Sequence, residues 1–204
     1  MTDKYKTFYP DTHVLINHFN VKDQDELDKL ETGFTLKRLA DLGKTPIEGN
    51  FDFKHLKDIH QYIFQDIYPF AGQTRNEDIS KGTFTFASHR FIEQAGQELF
   101  EKLKREKNLS HLDTQQFSMR AAYYMGEINV LHPFREGNGR TQREFIRELA
   151  LDNGYIIDWS LIKKEHLLEA SIRSITNELP LAKVIETCIS NKDLIKEQEP
   201  EIER

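Results

Sequence analysis

His132, Glu136, Arg140 and Arg143 fall within one short stretch, His132-Pro133-Phe134-Arg135-Glu136-Gly137-Asn138-Gly139-Arg140-Thr141-Gln142-Arg143. His132 is the group there that can both take and give a proton near neutral pH. Glu136 offers a hard carboxylate oxygen, the kind Mg²⁺ takes when it also holds substrate phosphates. Gly137, Asn138 and Gly139 stand where a helix should begin. Free N–H groups and the helix dipole make such a start a ready anion site, and glycine lets a ligand approach the backbone. Arg140 and Arg143 are about one helical turn apart, so both can point at the same anion. The residues alone give base-assisted transfer involving a bound polyphosphate and a metal. The bland alternative, a solvated helix start beside a fortuitous histidine, leaves Gly-Asn-Gly without a reason, because it starts a helix poorly unless a ligand sits on it.

A wide apolar stripe (Phe117, Ala121, Ala122, Met125, Ile128, Leu131) predicts a central helix over 114–131, capped by Asp113 and stopped by Pro133. This helix delivers His132 at its C-terminal end, where the dipole is expected to raise the imidazole pKa. The signature helix is expected over 138–153, with Phe145, Ile146, Leu149 and Ala150 inward and Asn153-Gly154 ending it. Upstream, Asp23 caps a helix carrying Leu27, Leu30, Phe34, Leu36, Leu39 and Leu42, and Asp52 caps another over 53–66. Ser88 is expected to cap a helix over 89–106, with Phe91, Ile92, Ala95, Leu99, Phe100 and Leu103 inward. Helices near 162–177, using Leu167, Leu168, Ala170, Ile172 and Ile175, and near 180–190 complete the set. Between them, Lys81-Gly82 is a turn signal and Thr83 to Phe86 alternates as a strand does, so a short hairpin is expected near 77–87. Two strands alone are marginal in water, so the hairpin must lean on the helices and keep an exposed edge.

Other motifs fail on spacing. Gly43-Lys44-Thr45 resembles the end of a phosphate-binding loop, but Arg38 stands where that loop needs its first glycine. His55 and His60 are five residues apart, which does not give zinc ligands one shared helical face, so surface or hydrogen-bonded histidines are expected. Cys188, the single cysteine, sits among Val184, Ile185 and Ile189 and reads as a small buried residue.

The chain has 204 residues, 38% hydrophobic and 30% charged, which suits one globular domain with a core. A net charge of −6 argues against broad binding to nucleic acid or to an anionic membrane. No apolar run is long enough to span a bilayer, and Met1 to Pro10 lacks a signal-peptide core. A reducing cytoplasm fits, with secretion lacking a classical signal left open. The expected organisation is an N-terminal arm over 1–22, a domain over 23–190 and a charged tail over 191–204.

The stretch from His132 to Arg143 resembles the signature of the Fic family, His-x-Phe-x-(Asp/Glu)-Gly-Asn-Gly-Arg-x-x-Arg, and meets every defined position of it. The flanking sequence from about Tyr9 to Ile189 is similar to Fic proteins as well. The resemblance implies an all-α, Fic-type helical bundle with a short β-hairpin flap over the active site. It implies transfer of AMP from ATP, with Mg²⁺, to a hydroxyl of a target protein, whose tyrosine, serine or threonine stays open. On that reading His132 is the catalytic base and Glu136 the metal ligand. Gly137, Asn138 (backbone and side chain) and Gly139 form the phosphate cradle, and Arg140 and Arg143 bind the distal phosphates. Phe134 anchors the loop, and Lys81, Gly82, Thr83, Phe84 and Thr85 form the flap that docks the target by strand addition.

The Doc branch, whose members act as kinases, replaces the second signature glycine with lysine; Gly139 is intact here, which favours AMP transfer. Another nucleotide or phosphocholine donor, removal of AMP, or a non-catalytic nucleotide-binding module are the competing readings. Many Fic proteins also carry an inhibitory Ser/Thr-x-x-x-Glu-Gly/Asn helix whose glutamate pairs with the second arginine, here Arg143. Ser174 to Glu178 has the spacing, but Leu179 follows where Gly or Asn is required, and Thr45 to Gly49 is one residue short. Together with Asp158-Trp159 and Ala170-Ser171-Ile172, this resembles the toxin class held inactive by a separate small antitoxin protein. Type II topoisomerase subunits are targets of that class.

Overall fold

Three aspartates open three of the helices. Asp23 Oδ1 accepts the Glu26 N–H at 2.9 Å, Asp52 Oδ1 the His55 N–H at 2.8 Å, and Asp113 Oδ1 the Gln116 N–H at 2.8 Å. Each bond satisfies one of the donors that a helix start leaves unpaired, typically contributing about 1 kcal/mol. The computed structural model describes residues 7–191. Its helices are α1 (Gln24–Lys44), α2 (Phe53–Phe64), α3 (Ile92–Arg105), α4 (Thr114–Leu131), α5 (Asn138–Asp152), α6 (Lys164–Arg173) and α7 (Leu179–Cys188). One antiparallel hairpin, β1 (Ser80–Lys81) and β2 (Phe84–Thr85), pairs Ser80 with Thr85 and Lys81 with Phe84. The fold class is the expected one, all-α with one small hairpin.

Helix α4 lies at the centre and packs along α7, α5 and α3, while α2 fills the space between α1 and α5. Phe117, Ala121, Ala122, Met125, Ile128 and Leu131 are all buried, as the stripe required. Phe145, Ile146, Leu149 and Ala150 of α5 and Leu56, Ile59, Ile63 and Phe64 of α2 close the same core. Its consequence for the site is rigidity: the last turn of α4 and the first of α5 are both anchored by packed helices.

Several details differ from the sequence expectation. Ser88 does not cap the next helix; Asp78 reaches across the base of the hairpin and accepts the His89 N–H at 2.7 Å. Phe91 then lies on a short 3-10 turn and is 60% exposed, because α3 starts one residue later. The helix expected near 162–177 is a 3-10 turn (Trp159–Leu161) followed by the shorter α6. Ser174 Oγ donates to the Ser171 carbonyl at 2.8 Å in the turn that ends α6, Asn177 Oδ1 accepts the Leu179 N–H, and Pro180 opens α7 in the first turn, where proline is tolerated. Leu168, Ile172 and Ile175, read as inward, face outward, as does Leu36 of α1. Of the two readings for His55 and His60, surface or hydrogen-bonded, the second holds: both are buried and hydrogen-bonded. Cys188 is buried as expected, and burial pushes its thiol up to about 11. Among the described residues no helix is long and apolar enough to cross a membrane. Met1–Lys6 of the arm and residues 192–204 of the charged tail lie outside the described residues.

Leu56→Ala should cost about 2–5 kcal/mol, since Leu56 is fully buried in the core. Ile172→Ala should stay within about 0.5 kcal/mol, since that side chain is exposed. Urea denaturation of both variants checks the inward and outward assignments together.

Candidate active site

The chain leaves α4 at Leu131 and enters α5 at Asn138, and the turn between them has left-handed backbone at both ends. His132 caps α4 with φ 45° and ψ 60°, and Gly137 precedes α5 with φ 82°. At Gly137 a Cβ would also fall 2.2 Å from the Phe64 ring, so packing as well as conformation excludes any side chain there. Distant side chains hold the turn. Asn138 accepts the Phe134 N–H at 2.9 Å and donates to the Phe134 carbonyl at 2.7 Å. That bracket gives the buried Asn138 side chain an architectural part and occupies one of its two amide hydrogens. His60 stacks on Phe134 with ring centroids 3.8 Å apart. Its Nδ1 accepts the Gly72 N–H at 2.8 Å, which leaves Nε2–H to donate to the Glu136 carbonyl at 3.0 Å. Burial holds His60 neutral, with its pKa lowered to about 4.

His132 is set up as a base. Its Nδ1 lies 3.1 Å from the Asn129 carbonyl, and only a protonated nitrogen can pair there, so Nε2 keeps its lone pair. Phe86 of the hairpin covers the ring at a centroid distance of 3.8 Å. The expected rise in pKa does not occur: burial lowers it to about 4, and the cations of Arg75 and Lys81 add to the effect against the Asn129 hydrogen bond. The helix dipole fails to win because Arg75 sits on the α4 terminus, donating to the carbonyls of Leu131 and His132.

The start of α5 has the form of an anion site. The N–H groups of Asn138, Gly139 and Arg140 have no protein acceptor among the described residues, whereas the Gly137 N–H is taken by Glu136 Oε1 at 2.8 Å. Above Gly139 the space is open; a Cβ there would meet only Arg143 Nη1 at 3.5 Å. The two arginines are not equivalent. Arg140 donates to Glu31 Oε1 at 2.6 Å and Thr35 Oγ1 at 3.3 Å on α1, and lies over the Phe64 ring. Tyr68 donates to the other Glu31 oxygen. Arg143 has no carboxylate partner among the described residues, and burial and Arg140 lower its pKa. Its helix is steadied by Trp159, whose Nε1–H donates to the Arg143 carbonyl at 3.2 Å. Glu136 is half exposed, and its Oε1 lies 3.6 Å from Arg140.

The hairpin stands beside His132, with Lys81, Gly82, Thr83 and Thr85 exposed and Phe84 partly covered. The structure thus places the hairpin against His132 through Phe86, Gly139 beside Arg143, and Glu136 beside Arg140. The sequence reading missed Glu31, His60, Arg75 and Phe86, none of which stands at a spacing that signals the site. A cavity of about 490 Å³ lies beside the hairpin stem, lined by Thr7, Ile16, Phe70, Asn76, Glu77 and Arg135, and of the groups just named it touches Arg75 alone.

A Fic/DOC family model matches residues 50–150. The protein y4lH of Sinorhizobium fredii, named a probable protein adenylyltransferase, is 39% identical over 89% of this chain and 94% of its own length. The chain belongs to the Fic/DOC family. The protein adenylyltransferase VbhT of Bartonella schoenbuchensis is 47% identical over 81% of this chain, which spans only 34% of VbhT. The N-terminal Fic domain of a putative cell filamentation protein from Bartonella quintana, solved with bound ADP, superposes with a TM-score of 0.85 at 29% identity, covering 89% of this chain and 93% of that one.

Both histidines give this Fic domain a pH-dependent stability. Each is neutral when folded down to about pH 4 and titrates near 6.5 when unfolded, so the unfolded chain binds more protons between those values. Stability should be full above pH 6.5 and fall as pH drops toward 4, by on the order of 3 kcal/mol per histidine. His132→Ala should flatten the slope by one proton in urea denaturation run between pH 7 and pH 4.5. Gly139→Ala should leave the melting temperature unchanged or raised, whereas Gly137→Ala should lower it sharply.

Proposed function

We propose that this chain is a protein adenylyltransferase that moves AMP from ATP to a hydroxyl of a target protein. The observation that carries the reading is Gly139. Gly137 is required by packing, but among the described residues no atom crowds Gly139, and there the N–H groups of Asn138, Gly139 and Arg140 lack acceptors and Arg143 lacks a carboxylate. Such a start leaves a helix poorly satisfied until an anion occupies it.

The chemistry follows from the placed groups. A target hydroxyl next to His132 gives its proton to Nε2 as its oxygen bonds to the α-phosphorus of ATP; the bond from that phosphorus to the pyrophosphate oxygen breaks and pyrophosphate leaves. A positioned base of this kind contributes typically about 10²–10⁴-fold. The Asn138, Gly139 and Arg140 N–H groups hold phosphate oxygens, and Arg143 takes the distal phosphate. Arg140, tied to Glu31, faces the same anion with its charge partly offset. The chemistry of Glu136 fits Mg²⁺: Oε1 accepts the Gly137 N–H, and Oε2 has no hydrogen-bond partner among the described residues. Mg²⁺ held there would offset charge on the phosphates. Residues 80–85 offer a strand edge on which an extended target segment can register.

Regulation by a separate small antitoxin is our reading too. Its support is that neither Glu178 nor any other described carboxylate pairs with Arg143, and that Ser174 is spent on the Ser171 carbonyl. Type II topoisomerase subunits are the first targets to test.

Incubation with Mg²⁺, a candidate target and ATP labelled at the α-phosphorus tests the activity. A labelled target is expected, with at least a hundredfold loss in His132→Ala. A label carried only from the γ-phosphorus would make the protein a kinase instead. Gly139→Ala should weaken ATP binding by about tenfold or more while keeping the fold, as measured by calorimetry.

A further inference from the structure

Among the described residues Arg75 is the most completely engaged charged group, and the reaction as derived gives it no part. Its side chain is fully buried, and the nearest carboxylate, Asp78, is 3.9 Å away and half exposed. Main-chain carbonyls solvate it instead. On one side Nε donates to the His132 carbonyl at 2.8 Å and Nη2 to the Leu131 carbonyl at 3.3 Å, while its backbone N–H donates to the Pro133 carbonyl at 2.8 Å. Three consecutive residues at the end of α4 are therefore read by one arginine. On the other side Nη1 donates to the Glu77 carbonyl at 2.6 Å and Nη2 to the Ala87 carbonyl. Glu77 and Ala87 are the two legs of the hairpin. Lysine could not do this, because an ammonium is a single point and a guanidinium is a rigid fork.

We infer that Arg75 is a positioning residue for AMP transfer: it fixes the hairpin legs to the turn that carries His132, so that a hydroxyl registered on the hairpin arrives at the base. The inference rests on the adenylyltransferase reading. Two further contacts run the same way. Phe86, next to Ala87, stacks on the His132 ring, and the Ala87 N–H donates to the Val130 carbonyl at 3.1 Å. The alternative is that Arg75 merely stabilises the fold. The distinction is measurable, because reacting groups tolerate misplacement poorly: a displacement of about 1 Å can cost about a hundredfold.

Arg75 and Lys81 are the charged groups facing His132, so Arg75 has two separable effects, geometry and charge. Arg75→Lys keeps the charge and loses the fork. Arg75→Gln keeps planar donors and loses the charge. Both variants are assayed well below their unfolding midpoints, with the folded fraction measured by circular dichroism. Both should lose at least tenfold in kcat/KM for the target, with a raised KM for the target and ATP affinity within about twofold of wild type. In an NMR titration of His132, which needs no turnover, Arg75→Gln should move the imidazole pKa upward and Arg75→Lys should leave it in place. Wild-type protein that labels no target would count against the adenylyltransferase reading, while the titration would still decide whether Arg75 acts on His132. Rate losses that merely track the folded fraction, with target KM unchanged, or a His132 titration identical in all three proteins, would overturn the inference.

Discussion

The turn between α4 and α5 must satisfy buried peptide groups that no helix or sheet can reach. Unpaired backbone groups inside a protein cost about as much as lost hydrogen bonds, so every group in this turn needs a partner from elsewhere. The partners come from far along the chain. Arg75 takes the carbonyls of Leu131 and His132, Asn138 brackets Phe134, and His60 takes the Glu136 carbonyl. The left-handed conformation of His132 persists because these contacts over-determine it. The same contacts aim its imidazole, with Nδ1 on Asn129 and Nε2 free.

This arrangement also settles the electrostatics. A histidine at a helix C-terminus ought to gain a proton, yet this one loses affinity for it. Desolvation by Phe86 and the surrounding chain dominates, and the dipole's negative end is already occupied by a guanidinium. A base kept neutral throughout the physiological range is always competent to accept a proton. It gives up proton affinity in exchange, so the fold relies on orientation more than on basicity.

Much of the fold was legible in the sequence. The caps Asp23, Asp52 and Asp113, the apolar stripe of α4 and the Asn153-Gly154 stop each act within a few residues of where they stand, so local pattern reveals them. The signature likewise encodes a helix start. What the pattern could not carry are partners joined across long separations. Glu31 reaches Arg140, and His60 reaches Glu136, from other helices. A single histidine on the buried face of a helix, or one arginine before a hairpin, has no periodicity to betray it. Apolar residues on α6 misled for the opposite reason: their helical spacing is real, but the helix ends early and turns that face outward.

The two signature glycines answer to different forces, and their difference separates what folds this protein from what it binds. Gly137 is compelled from inside, by a positive φ and by the Phe64 ring. Gly139 is compelled by nothing among the described residues, and helix propensity alone would favour alanine there by about 1 kcal/mol. The arginines divide in the same way: Arg140 has its anion in Glu31, and Arg143 has none among the described residues. A half-buried cation with no carboxylate among the described residues and a helix start without a side chain are both costly when empty. Both costs are recovered by one ligand carrying several negative charges. Because Arg140 is already half neutralised, Arg143 and the helix dipole leave part of that charge uncompensated. A carboxylate such as Glu136 cannot itself attract phosphate, so under the proposed function its place beside the helix start would be explained by a cation shared with the ligand.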